Sequence, residues 1–277
     1  MKRKRIYIIL LMIPFFTGII FLLWPLTSDQ FLIQWDQELI TRKIQFLQYR
    51  PVKNDNRIKP NILLILVDDL GKTDINLYGP GKVSTPYIDQ LGKEGVVFDQ
   101  AYVASPVCSP SRAAIFTGRY PQRFGFTFQM HDFYLTNRLM HYGYRLFIDS
   151  SPWRPRGIEE VPSREMAEKQ GIPPSEITLP ELLKKEGYTT ALIGKWHLGG
   201  HPRNTPCNFG FDYQYGFYAS HSLYAYEDNP EIISQKIPDD FSDKYIWKSQ
   251  RYGPHAIYRN CEIIHEEEYL THAITLE

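Results

Sequence analysis

The sequence predicts an α/β fold, a mostly parallel sheet flanked by helices. Three observations carry that expectation. "NILLILV", residues 61–67, is a β-branched and leucine run that ends at Asp68-Asp69-Leu70-Gly71. Two cap-plus-proline pairs, Thr85-Pro86 and Ser109-Pro110, each follow a strand-like or apolar stretch. "TTALIG" then runs straight into "KWHLGG".

In chain order, Lys2-Arg3-Lys4-Arg5 precedes an uncharged run, Ile6 to Leu26. About 20 apolar residues cross a bilayer as a helix, whereas a cleavable signal has a core of about 7–15 and a small-residue exit. The run closes on Leu23-Trp24-Pro25-Leu26, with no such exit. Residues 1–26 are therefore expected to be a basic tip and uncleaved membrane anchor, with secretion after signal cleavage as the alternative. The basic cluster stays cytoplasmic, so the rest of the chain faces the periplasm or the cell exterior.

Residues 27–59 read as a juxtamembrane connector. Phe31, Leu32, Trp35, Leu39, Ile40, Lys43 and Phe46-Leu47 have loosely helical spacing. That suits either a helix in the lipid interface or one packed on the folded domain. "RPVKNDNRIKP" reads as a polar linker.

Residues 60–277 form the globular part. "NILLILV" is too short for a membrane span and reads as a strand buried on both faces. Thr85 and Pro86 cap and open a helix expected to end near Gly95. "VVFDQAYV" is a second strand, and Ser109-Pro110 opens a helix expected to stop near Gly118. Thr178 and Glu181 have capping-box spacing before "ELLKKEG". "TTALIG" is the third strand. Phe124 to Pro174 is aromatic, proline-punctuated and aperiodic; loops that long in a compact domain usually carry function or are disordered. Beyond Gly200 strand signals are few, and "CEIIHEEEYLTHAITLE" has helical spacing.

Lysine plus arginine equal aspartate plus glutamate at 31 each, so charge makes no case for a nucleic-acid partner. Three cysteines, Cys108, Cys207 and Cys261, fit an exported protein with at most one disulfide. Cys207 with Cys261 is one of three possible pairs.

Candidate chemistry gathers at three strand ends, where open α/β sheets bind ligands. Asp68 and Asp69 are adjacent carboxylates suited to a hard divalent cation, Ca²⁺ or Mg²⁺. Cys108 stands just before a helix start, where free N–H groups and the positive dipole end favour an anion. Arg112, one turn on, has the planar fork that grips a tetrahedral oxyanion. Lys195 and His197 follow the third strand; lysine brings a point charge and histidine can donate to a leaving oxygen. Together they outline a metal, a nucleophile and anion clamps, the parts of a hydrolytic site for an oxyanion ester.

"PNILLILVDDLG", "CSPSRAAIFTGR" and "GKWHLG", in that order and spacing, strongly resemble the sulfatase family of the alkaline phosphatase superfamily. "SEITLPELLKKEGYTTALIGKWHLG" and "NFGFDYQYGF" are similar to further sulfatase segments. The resemblance implies an alkaline-phosphatase-like fold and a sulfuric ester hydrolase of arylsulfatase type. It implies that a separate maturation enzyme oxidises Cys108 to formylglycine. One hydroxyl of the hydrated aldehyde attacks sulfur and expels the alcohol; loss of the proton from the second re-forms the aldehyde and releases sulfate. Asp68 and Asp69 match calcium ligands, and the modified Cys108 also faces the metal; calcium is preferred to magnesium. Arg112 matches the residue that supports the diol and the metal shell. Lys195 and His197 match contacts to sulfate and leaving group. Ser220, in "GFYASHS", lies where some members carry another substrate-binding residue; an ordinary loop serine is the alternative.

The family's second metal pair and late histidine and lysine contacts have no match here; Asp228-Asn229 is a poor substitute, being followed by Pro230. The chain is thus expected to be the N-terminal part of a longer sulfatase, inactive and poorly soluble alone. Two other readings remain: a phosphonate monoester or phosphodiester hydrolase of the same superfamily, and a non-catalytic truncated remnant. For substrate contact, Tyr134, Tyr142, Tyr144 and Trp153 can stack on a sugar or aryl ring, with core or lid packing as the alternative.

Overall fold

The computed structural model describes residues 2–50, 58–81, 84–130, 134–147, 157–220 and 253–264. Helix α1 spans Lys2–Leu23. Side chains of residues 1–11 lie outside the described set, and among the described residues no helix is long and apolar enough to cross a membrane.

Helix α2, Gln37–Gln48, starts at Asp36, whose carboxylate accepts from the Glu38 and Leu39 amides. It packs on the folded domain. Lys43 is buried and reaches Glu181 at 2.7 Å and the Glu176 carbonyl at 2.7 Å. The Lys43 ammonium also lies over the Phe209 ring, 4.5 Å from its centroid. Arg50 donates to the Lys185 carbonyl and Lys185 to that of Tyr49. The linker residues 51–57 lie outside the described set.

Helix α3 covers Pro86–Glu94 and ends at Gly95, as the proline and glycine signals predict. Helix α4 covers Cys108–Thr117 and stops at Gly118 in the left-handed region. Its cap is Val107, so Ser109 and Pro110 fall inside the first turn, and Cys108 is itself the first helical residue. Helices α5 (Arg138–Phe147) and α6 (Arg164–Glu168) give order to the aperiodic aromatic stretch. Helix α7, Leu179–Lys185, has the predicted capping box: Glu181 accepts from the Thr178 amide at 2.8 Å and hydroxyl at 3.0 Å.

The described sheet is mixed, not mostly parallel. Strand β1, Ala191–Lys195, pairs in parallel with β2, Tyr213–Phe217, with Lys195 opposite Phe217. β2 pairs antiparallel with β3, Tyr258–Arg259, and β3 with β4, Glu262–Ile263. The third predicted strand is thus β1. The first two are not formed: residues 61–67 and 96–103 carry no ladder among the described residues, and Leu63 is 86% exposed. A strand buried on both faces needs neighbours along both edges and a layer over each face. Sequence reasoning also missed β2, an aromatic strand interrupted by Gly216. A Cβ there would meet the Gly194 carbonyl oxygen across the ladder at 2.0 Å.

β4 corrects the helix expected from Cys261 onward; residues 265–277 lie outside the described set, as do Trp153 and Asp228-Asn229. Asn260 and Cys261, both with positive φ, form the two-residue turn of the β3–β4 hairpin. That pattern is the type I′ geometry favoured by strand twist. Cys261 is disulfide-bonded to Cys207, which settles the pairing and leaves Cys108 free. The bridge spans 54 residues and ties the hairpin turn to the 3₁₀ segment Pro206–Phe209. Replacing both cysteines by serine is expected to cost about 2–4 kcal/mol in urea denaturation.

The core is aromatic. Trp196 packs between Phe116, Phe209 and Phe211, with ring centroids 5.5, 6.0 and 6.1 Å away. Its indole donates to the Asn204 carbonyl at 2.9 Å.

Candidate active site

The site assembles at the carboxyl end of β1 and the amino end of α4. Arg112 is buried one turn into α4 and spans the gap between them. One guanidinium nitrogen donates to the Lys195 carbonyl at 2.7 Å, the other to Asp68 at 3.2 Å. The Lys195 ammonium takes the second Asp68 oxygen at 2.7 Å. Each Asp68 oxygen therefore faces a cation. Burial alone would raise the Asp68 pKa, but Lys195 and Arg112 together outweigh it and hold the carboxyl below its ordinary value. That favours the charged carboxylate, the form that serves as an oxygen ligand.

Asp69 follows in the left-handed region at φ 53°, which turns the chain sharply after Asp68. A non-glycine residue there is uncommon and often marks a functional turn. Ligand atoms of Asp68, Asp69 and Cys108 all lie within 4.8 Å of one another. Two carboxylates suit a hard divalent cation, whereas a thiol suits a soft one. The donor set is uniform only if the Cys108 side chain carries oxygen.

Cys108 is half-buried at the first position of α4. Its neighbour Ser109 is fully buried: the amide donates to Gln129 at 3.5 Å and the hydroxyl accepts from the Met130 amide at 3.4 Å. Gln129, on the aromatic stretch, thus supports the start of α4. No sequence signal pointed to it, because it lies 20 residues away with no repeat or motif.

Lys195 joins the cluster, but His197 is drawn inward, fully buried with φ 56°. The turn that carries it is tight. A Cβ on Gly199 would meet the Asn204 amide carbon at 2.3 Å, so only glycine fits at position 199. Ser220 is half-buried, three residues beyond β2 and at the same sheet edge as Lys195. Tyr134 lies elsewhere: its hydroxyl accepts from Gln170 at 2.5 Å, and it lines a separate cavity of about 1490 Å³ between the connector and the domain. None of Asp68, Asp69, Cys108, Arg112, Lys195 or His197 lines that cavity. Tyr142 packs edge-on against His141.

A carboxylate pair, a helix-start cysteine and two cations thus meet beside the carboxyl end of a strand in an α/β protein. The chain belongs to the sulfatase family: the family model described as "Sulfatase" matches residues 60–260. It is 43% identical over 157 residues to N-acetylgalactosamine-6-sulfatase of Rattus norvegicus, covering 57% of this chain and 25% of that protein. It is 42% identical over 159 residues to steryl-sulfatase of Mus musculus, covering 55% and 21%. The solved structure titled "Crystal structure of Ps i-CgsB" superposes with a TM-score of 0.54 at 30% identity, covering 79% of this chain and 40% of that one. The matched stretch thus spans about a quarter of the length of these curated relatives.

Proposed function

We propose that the protein is a sulfuric ester hydrolase whose nucleophile is formylglycine made from Cys108 and whose metal is calcium. The observation that carries this reading is the meeting of Asp68, Asp69 and Cys108 within 4.8 Å, beside two cations, in a chain of the sulfatase family. Asp68 and Asp69 would hold the ion, and the hydrated aldehyde would supply the oxygen donor that the thiol lacks. When bound, calcium would polarise the ester and steady developing negative charge. Arg112 keeps Asp68 and the end of β1 in register with α4. Lys195 offers an ammonium to the sulfate oxygens. His197 is assigned to the leaving group and Ser220 to substrate contact on the strength of the family resemblance.

A sulfated carbohydrate is one substrate class that fits this reading. One structural relative, 30% identical with a TM-score of 0.53, is titled as a complex with k-i-k-neocarrahexaose. Residues 1–26 act as the anchor, 27–59 as the connector and 60–277 as part of the sulfatase domain, which stands outside the cytoplasm.

The test is hydrolysis by the full-length protein produced together with a formylglycine-generating enzyme. Peptide mass spectrometry is expected to show sulfur lost from the Cys108 peptide. Turnover of an aryl sulfate should exceed that of the matching phosphate ester, fall on chelation and return with Ca²⁺ better than with Mg²⁺. Intact Cys108 in active protein, or activity indifferent to chelation, overturns the reading.

A further inference from the structure

The aromatic stretch and the connector are stitched together where the apolar N-terminal run ends. The Leu26 amide donates to the Thr136 carbonyl at 2.8 Å, and Pro25 bridges Asn137. On the other side, the Val161 amide donates to the Leu26 carbonyl at 2.9 Å. Helix α5 begins at the next residue, Arg138, whose guanidinium lies 4.4 Å from the centroid of the Phe21 ring of α1. Its start is therefore pinned at the exit of the run Ile6 to Leu26.

The two sides of α5 differ. His141 is buried, and Met140 accepts from the Thr136 hydroxyl at 3.4 Å. Leu139, Tyr142 and Leu146, spaced i, i+3 and i+7, share the opposite face and are 50, 42 and 76% exposed. Arg138 and Arg145, also seven apart, border that apolar stripe. Trp24, at the close of the apolar run, is 62% exposed. An apolar stripe edged by arginines, beside an exposed tryptophan, is the make-up of a helix lying at a lipid surface. The arginines complement phospholipid phosphates, and the stripe takes the acyl boundary.

We propose that the exposed face of α5 rests in the lipid–water boundary of a phospholipid bilayer, beside the point where the N-terminal run emerges. This rests on the anchor reading of residues 1–26. The connector and the aromatic stretch then form one membrane-facing unit that sets how the sulfatase domain stands over the bilayer.

The test is spin-label accessibility in the full-length protein reconstituted in phosphatidylcholine–phosphatidylglycerol vesicles. Labels are placed by Leu146→Cys and, as an aqueous control on exposed α3, Gln90→Cys, each with Cys108→Ala and the disulfide intact. The label at residue 146 is expected to favour oxygen over a water-soluble nickel chelate, and the label at residue 90 the reverse. If the protein floats with the vesicles but residue 146 behaves like residue 90, this proposal fails while the anchor stands. Protein that does not float overturns the anchor and this proposal together.

Discussion

Cys108→Ser in the full-length protein will abolish steady-state sulfate-ester turnover, with a loss of at least about 10⁴-fold. Serine keeps the size of the side chain and the start of α4, so the fold should persist. Ser109, Arg112 and Gln129 make their contacts without the residue 108 side chain. What serine lacks is the second hydroxyl of the aldehyde hydrate. Its single hydroxyl can attack sulfur and expel the alcohol, but no neighbouring O–H remains to break the new ester bond. The expected result is therefore at most a stoichiometric burst of alcohol, with sulfate retained on the introduced serine and visible by mass spectrometry. Cys108→Ala should give neither burst nor turnover. Multiple turnovers by the serine variant would remove formylglycine from the mechanism.

The second large effect concerns stability. Lys43→Met is expected to cost about 3–5 kcal/mol in urea denaturation, because it strands a buried carboxylate. Lys43 and Glu181 are each only 7% exposed and lie 2.7 Å apart. Burial lowers the Lys43 pKa more than the Glu181 and Glu176 charges raise it. The unfolded chain thus holds that proton more tightly, so the ammonium's burial cost is felt below the folded pKa and relieved as pH rises past it. A pair that does not fully recover its desolvation should tolerate joint neutralisation. Lys43→Met with Glu181→Gln is expected to recover most of the loss, since glutamine can still accept from the Thr178 amide in the capping box. Equal losses in the single and double variants would show that Lys43 matters through packing alone.

These two predictions differ in where their signals lie. Cys108, Arg112, Asp68, Asp69 and Lys195 were legible because each belongs to a short local motif. The helix stops at Gly95 and Gly118 and the box at Thr178 were legible for the same reason: caps and glycines act within one turn of the chain. His197 was legible as a motif member but not as a buried one, since burial depends on what packs around it. The strands expected at 61–67 and 96–103 rested on short apolar runs and what flanks them, and a run does not supply a ladder partner. β2 was hidden by the reverse effect. Its residues give a weak strand signal, yet Gln214 donates to the Tyr258 carbonyl and accepts from the Cys261 amide.

By itself the sequence determined the family, and it named the carboxylates, the cysteine and the cations that meet in the candidate site. Only the tertiary structure decided that Cys207 pairs with Cys261, that Lys43 is sealed against Glu181, and that the aromatic stretch binds the exit of the N-terminal run. Those partners lie 54, 138 and 110 residues apart. Interactions over such separations leave no period or spacing in the chain. They are set by which surfaces meet once the apolar groups leave water.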